Sequence, residues 1–255
     1  MQYIGLIGQS ISASRSPSLH NMLGELKQLP VSYELQELDS SAVEAFTERL
    51  SLIREKGFIG TNVTFPFKQI AVDSADEVND SVKKVGSTNT LLLKDGKVCA
   101  FNTDYTGFIR GYRTRLADQA AGKVLMIGAG GVGRAVAFGL FEVGATELFI
   151  TDLNVAGAEA LAQSLNDAGY KATVIAADEV ADIAKGVDGL VNCTPVGHYK
   201  TPGNPLAASA FGAGVSERMT RRFAGNSTLV AASAKKSKAS CSFLDNSALF
   251  PGVKT

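Results

Sequence analysis

From residue 123 to residue 135 the chain reads Lys-Val-Leu-Met-Ile-Gly-Ala-Gly-Gly-Val-Gly-Arg-Ala, and this stretch limits the fold more than any other. Residues 124–127 are an apolar run of strand length. Gly128, Gly130 and Gly133 follow in G-x-G-x-x-G spacing, and residues 134–142 are apolar and helix-favouring. The first glycine of such a unit permits a tight turn. The second lets a pyrophosphate approach the backbone, and the third lets helix and strand pack closely. The helix N-terminus then offers amide donors and the positive end of its dipole.

Glycine-rich turns are common, so the next element matters. Residues 147–152, Glu-Leu-Phe-Ile-Thr-Asp, are a second strand-like run ending in an acid. Asp152 lies about 20 residues beyond the glycines, where the acid of a Rossmann unit bonds the adenosine ribose. Its charge repels the 2′-phosphate of NADP, and no Arg occurs among Leu153, Asn154, Val155 and Ala156, so NAD is the expected cofactor. The competing reading of Asp152, as N-cap of the next helix, is the weaker one in this βαβ context.

The 255 residues, 45% of them hydrophobic, suffice for one large domain or two small ones. Lys+Arg and Asp+Glu both total 25, so charge gives no argument for nucleic acid or an anionic membrane as partner. Cys99, Cys193 and Cys241 are odd in number and far apart, with neither metal nor disulfide spacing. The first residues lack a basic region and read as a strand rather than a signal peptide. No apolar run is long enough to span a bilayer. The expectation is a cytoplasmic protein without a metal.

Residues 3–8 read as a buried parallel strand. A polar loop follows, then a helix at Pro17 with Ser16 as its N-cap and Leu19, Met22, Leu23 and Leu26 on one face. Residues 31–38 alternate as a strand. Residues 42–54 suit a helix with Val43, Phe46, Leu50 and Ile53 on one face, and residues 58–64 a third strand. Pro66 stops that strand, so Thr64 and Lys68 emerge at a carboxyl end, where open α/β sheets bind ligands. A helix is expected over 75–84, a hairpin turn at Asp95-Gly96, and a linking helix over 105–116. After the glycine motif come a helix over 156–168, a strand over 171–176, a helix over 178–185 and a strand over 189–194.

Hydride chemistry on a nicotinamide requires a matching proton transfer. Lys68 and Asp104 are an attractive pair, because a desolvated lysine exchanges a proton near neutrality when an acid orients it. On periodicity alone, Lys68 reads as a solvated surface charge and Asp104 as the N-cap of the linking helix. His20 reads as a structural residue on a helix face. His198 reads either as an exposed loop residue or as a neighbour of the nicotinamide.

Ser14-Arg-Ser-Pro17, Asn62-Val-Thr-Phe-Pro-Phe-Lys68, Ser87-Thr-Asn-Thr90, Asn102-Thr-Asp104, Gly128-Ala-Gly-Gly-Val-Gly133 and Asn192-Cys-Thr-Pro-Val-Gly197 occur in this order. The series resembles the shikimate dehydrogenase family, including its quinate/shikimate branch, over roughly the first 205 residues. The resemblance implies two α/β domains with a cleft between them. Residues 1–103 would bind substrate, residues 104–206 would form the Rossmann domain, and residues 207–255 are an atypical C-terminal segment. It implies reversible oxidation of the ring 3-hydroxyl of shikimate or quinate, with a small-molecule substrate as partner and a homodimer as an allowed assembly.

Carried over by motif, Lys68 would transfer the proton with Asp104 beside it. Ser14, Ser16, Thr64 and Asn89 would hold the carboxylate and ring hydroxyls, and Thr103 would position Asp104 or line the pocket. Gly128, Ala129, Gly130, Gly131, Val132 and Gly133 would take the pyrophosphate, Asp152 the ribose, and Thr194, Pro195 and Val196 the nicotinamide side. The NADP-using members carry Asn-Arg-Thr after the second Rossmann strand. This chain has Asp152-Leu153-Asn154 there, as NAD-using members do, so an NADP-dependent biosynthetic enzyme is the alternative. A non-catalytic nucleotide-binding homologue is the alternative of another class.

The family pattern stops after residues 211–216. Its Asp-x-x-Tyr-x-Pro and Gly-x-x-Met-Leu segments are absent, and no Gln follows Gln163. Beyond Ser216 the composition turns to Lys, Arg, Ser and Ala, which reads as a poorly packed, solvated tail rather than a nucleic-acid arm. The abrupt change points to a shifted reading frame near Ser216. Re-sequencing the coding DNA tests this: a one-base correction is expected to restore the missing motifs, and its failure to do so removes the idea.

Overall fold

The computed structural model describes residues 1–197 and 201–205. The expectations for His198 and for the segment 207–255 lie outside the described residues. By compactness the chain divides into two units, residues 1–106 and residues 107 onward.

The first unit opens with β1 (Gln2–Gly8), α1 (Ser16–Leu26), β2 (Val31–Glu37), α2 (Val43–Glu55) and β3 (Phe58–Val63). β1 pairs in parallel with both β2 and β3. The crossovers leave β1 on opposite sides, so the boundary between β1 and β3 is a topological switch point. Then come α3 (Ile70–Asp73), β4 (Glu77–Val78), α4 (Asp80–Val85), β5 (Thr90–Lys94), β6 (Lys97–Phe101) and α5 (Thr103–Leu116). The sheet runs β2-β1-β3-β5-β6-β4, with β5 antiparallel to both β3 and β6. Asp95 and Gly96 both have positive φ (52° and 76°), the backbone that the expected tight hairpin requires.

The core of this unit lies between the sheet and α2. Phe46, Leu50 and Ile53 pack with Ile7, Phe58, Val63 and Phe67, and the Phe46 and Phe67 rings stack at 5.4 Å. Val43, expected on that face, is 52% exposed because it sits at the first residue of α2, before the helix reaches the sheet. The apolar stripe of α1 is also largely outside the core: Leu19 and Leu26 are exposed, and the buried residue of this helix is Gly24.

The expected helix over 75–84 is broken. The Asp76 amide donates to the Val98 carbonyl and its carboxylate accepts from the Val98 amide, while Glu77 and Val78 pair with Cys99 and Ala100. An open sheet edge has captured residues with adequate helix propensity. The helix begins only after Asn79, whose side chain accepts from Val82, and ends at Gly86 in the left-handed region.

The second unit continues with β7 (Gly122–Ile127), α6 (Gly131–Glu142), β8 (Ala145–Thr151), α7 (Val155–Asp167), β9 (Ala172–Val174), α8 (Val180–Ala184) and β10 (Gly189–Asn192). The strands are all parallel in the order β10-β7-β8-β9. Counted within the unit this order is 4-1-2-3, one half of a Rossmann sheet, with its switch point between β7 and β10. α8 is shorter than the expected 178–185, and no acid side chain caps it: the Glu179 carboxylate turns back to the Ala176 amide. Among the described residues no helix is long and apolar enough to cross a membrane, and no cluster of metal-ligating side chains occurs.

Glu147 on β8 pairs with Lys171 at 2.6 Å and Lys123 at 3.2 Å, and its side chain is 11% exposed. The Lys171 hydrogen bond, aided by Lys123, holds the Glu147 carboxyl below its ordinary 4.5. A lowered folded-state value gives stability that is present above 4.5 and lost as pH falls through the lowered value. In urea unfolding, the stability gap between the parent and Glu147→Gln should therefore be flat above 4.5 and close below it. A gap independent of pH would remove the ion pairs as its source.

Candidate functional site

In the first unit the loops after β1 and after β3 flank the switch point, and a backbone bond from Gln9 to the Phe65 carbonyl (3.0 Å) ties them together. Ser14 comes from the first loop, and Thr64 and Lys68 from the second; Ser16 is the first residue of α1 and not its expected N-cap, a place held by Arg15 without a side-chain cap bond. Lys68 directly follows Phe67, which is fully buried, and its carbonyl accepts from Thr88. Its backbone is thereby fixed on both sides. Asp104 arrives from the first turn of α5.

The Lys68 Nζ lies 2.5 Å from Asp104 Oδ2, with the two side chains 13% and 29% exposed. This excludes the reading of Lys68 as a solvated surface charge. It also excludes Asp104 as the N-cap of α5, because that place belongs to Asn102. The Asn102 side-chain oxygen accepts from the Tyr105 amide (3.0 Å), its amide nitrogen donates to the Ser87 carbonyl (2.8 Å), and its backbone donates to Ser81 (3.1 Å). Asn102 is 1% exposed. With the cap made by Asn102, the Asp104 carboxylate is left to Lys68.

Of the remaining expected residues, Ser14 pairs with Ser16 and Asn89 with Thr103, the neighbour of Asp104. Ser14 and Ser16 are joined hydroxyl to hydroxyl at 3.1 Å. Asn89 accepts from the Thr103 backbone (2.8 Å) and donates to the Thr103 hydroxyl (2.8 Å). Thr64 makes no side-chain hydrogen bond among the described residues. Its methyl group covers Gly8, where an added Cβ would meet it at 2.3 Å.

Two residues not singled out from the sequence extend the bonding at Asn89. Tyr33 donates to Asn62 Oδ1 at 2.9 Å. Asn62 donates in turn to Thr90 (3.2 Å) and to the Asn89 carbonyl (3.3 Å). Burial pushes the Tyr33 phenol up to about 12, so it stays protonated and keeps donating. His20 stacks on Tyr33 at 4.3 Å and donates to the Ser16 carbonyl at 2.9 Å, in keeping with its structural reading.

In the second unit the glycine motif turns from β7 into α6. Gly128 has φ +100°, and an added Cβ would press on Cys193 and Thr194 at 2.9 Å. A Cβ on Gly133 would lie 2.2 Å from the Gly128 carbonyl, which is the close helix–strand contact expected of the third glycine. Gly130 differs, since a Cβ there would meet nothing within 4 Å. The second glycine thus faces the open space that a phosphate group needs. Gly130 is the N-cap of α6 and has no side chain to satisfy the free amides that follow. The donor set fits a dinucleotide pyrophosphate.

Asp152 is not the cap of α7; Asn154 is, accepting from Gly157 at 3.1 Å. The Asp152 carboxylate accepts instead from Ala129 (2.6 Å) and Asn154 (2.8 Å). At the end of β10, Asn192 gathers Thr194, Pro195 and Val196 into one turn. It accepts from the Thr194 amide (2.9 Å) and hydroxyl (2.7 Å) and donates to the Val196 carbonyl (2.9 Å). Thr201 bonds the Pro195 carbonyl. Burial pushes the Cys193 thiol up to about 12, so it is a neutral packing group and no nucleophile.

The sequence and the fold both have known counterparts. The family described as shikimate dehydrogenase substrate binding domain matches residues 6–91. The NAD(+) quinate/shikimate dehydrogenase of Corynebacterium efficiens is 37% identical over 211 residues, 81% of this chain and 74% of that protein. The NADP(+) shikimate dehydrogenase of Pseudarthrobacter chlorophenolicus is 35% identical over 208 residues, 80% and 71% of the two chains. The solved structure of quinate dehydrogenase from Corynebacterium glutamicum in complex with NAD superposes with a TM-score of 0.76 at 32% identity, covering 82% of this chain and 76% of that one.

Asn102 serves the helix start and the Ser87 carbonyl at once, so its loss should weaken the first unit and loosen Asp104. Asn102→Ala is expected to lower unfolding free energy by about 2–3 kcal/mol in urea titration, the sum of a lost cap and an unsatisfied buried group. A change within about 0.5 kcal/mol, the range of an ordinary surface substitution, would show that the network is redundant.

Proposed function

The chain belongs to the shikimate dehydrogenase family, and from that premise we propose that it catalyses the reversible oxidation of a ring hydroxyl of shikimate or quinate with NAD. The observation that carries the reading is the Lys68–Asp104 pair at 2.5 Å, set among hydroxyl and amide side chains at the switch point of the first unit. A polyhydroxylated acid needs many directional bonds in a small volume, and Ser14, Ser16, Thr64, Asn89 and Thr103 supply both donors and acceptors.

Bound NAD supplies the acceptor for the hydride leaving the carbinol carbon. The chain's own part is the proton. In the oxidation direction Lys68 Nζ, as the neutral amine, takes the hydroxyl proton as the C–H bond breaks, and the ammonium so formed returns it in the reverse direction. Asp104 keeps the ammonium aimed at the reacting oxygen and offsets its charge. Thr103, fixed by Asn89, holds the turn from which Asp104 projects. In the second unit Gly131, Val132 and Gly133 offer amides to the pyrophosphate, and Gly130 leaves the room for it. Asp152 accepts from the ribose, and the turn of Thr194, Pro195 and Val196 borders the nicotinamide. NAD is favoured because Asp152 is followed by no cation that could hold a 2′-phosphate. NADP is the alternative.

Initial rates of NADH and NADPH formation from shikimate and from quinate test the proposal. The parent is expected to reduce NAD with at least one of the two acids. Lys68→Ala is expected to lower kcat by about 10²–10⁴, the usual weight of a positioned proton-transfer group, with the KM for NAD little changed. Unchanged turnover in Lys68→Ala would overturn the assigned role, and a large preference for NADP would overturn the cofactor choice.

A further inference from the structure

We propose that Asp152 is a positioning residue for the phosphate-binding loop, in addition to its place beside the ribose. The inference rests on the reading of the second unit as a dinucleotide site. Its starting point is a gap in the sheet ladder. The Gly128 amide continues the β7–β8 pairing by donating to the Thr151 carbonyl at 2.9 Å. One residue later β8 has ended, and the Ala129 amide has no strand carbonyl to meet. The Asp152 carboxylate takes that place, accepting from Ala129 at 2.6 Å. Its other oxygen accepts from the Asn154 amide at 2.8 Å, which fixes the carboxylate at the start of the turn into α7.

The loop amides therefore divide into two sets. Those of Gly128 and Ala129 are bound to the end of β8. The first intrahelical bond of α6 is Arg134 to Gly130, and among the described residues the amides of Gly131, Val132 and Gly133 donate to no protein group. The first set holds the loop and the second meets the anion. A carboxylate has about four lone-pair sites. Two are occupied in this structure, which leaves two for a ribose diol, so the brace and the ribose contact are compatible. Without the brace the loop samples other conformations, and apparent affinity for an anion falls with the fraction that remains competent.

This role separates from ribose reading by substitution. Asp152→Asn removes the charge and keeps an oxygen within reach of Ala129. Asp152→Ala removes both. Inorganic pyrophosphate is the probe, because it has no ribose. If Asp152 only reads ribose, both variants lose the same nearby negative charge and should bind pyrophosphate equally. With the brace, Asp152→Asn should bind it about fivefold more tightly than Asp152→Ala, the weight of one neutral hydrogen bond. Amide exchange at Ala129, followed by NMR in the ligand-free full chain, is the second readout. Protection should survive in Asp152→Asn and be lost in Asp152→Ala. Equal pyrophosphate affinities, or an Ala129 amide equally protected in both variants, would overturn the brace. Failure of the parent chain to bind NAD would overturn the dinucleotide reading instead, and the exchange measurement would still decide the brace.

Discussion

The contact between Lys68 and Asp104 organises the first unit. The two residues are 36 apart in the chain and meet at 2.5 Å with little solvent around them. A partly desolvated ion pair adds little net stability, because stripping water from both charges offsets most of their attraction. Such a pair persists only when the backbone on each side is held independently. Phe67 anchors one side in the core under α2, and Asn102 anchors the other by capping α5. The elements between them, from α3 to β6, bring these two anchors to one end of one sheet.

Periodicity was enough where one face of an element meets a continuous core. Phe46, Leu50 and Ile53 on α2 are legible in this way, while the Asp95-Gly96 hairpin is legible from its turn residues and the β7–α6–β8 unit from its glycine spacing. Periodicity failed where a neighbour decided the outcome. Residues 75–84 have the composition of a helix, yet the open edge of β6 takes Glu77 and Val78 as a strand, a tertiary choice that no local pattern contains. Val43 and Leu26 show the opposite error, since apolar spacing marks a face without saying whether anything covers it.

The site residues divide along the same line. Lys68 and Asp104 are candidates as titratable groups able to move a proton, and periodicity alone reads them as a surface charge and a helix cap; only the fold shows that they touch. Tyr33 is visible as an alternating strand residue, and its polar end is not, because its partner Asn62 comes from another segment. Asn62, Asn102 and Asn192 each open a motif that was read for its later residues. Each sits at or just after the end of a strand. Asn102 and Asn192 bind the backbone of the turn that follows, and Asn62 reaches across to the start of β5. An asparagine has both a donor and an acceptor on one short side chain, so it can bind a departing chain and a neighbouring segment together. A charged residue at these positions would lack one half of that pairing.

Both units carry their candidate site groups beside a switch point, where two loops diverge. On the proposed reading, cofactor choice in the second unit is an electrostatic matter at the end of β8. Two unit charges 4 Å apart repel by about 4 kcal/mol at an effective dielectric near 20, and a 2′-phosphate beside the Asp152 carboxylate would meet that repulsion with no cation among the next four residues. The carboxylate cannot simply turn away, because Ala129 and Asn154 hold its two oxygens from different sides. The charge that a 2′-phosphate would meet on the proposed reading is thus one that the loop itself keeps in place.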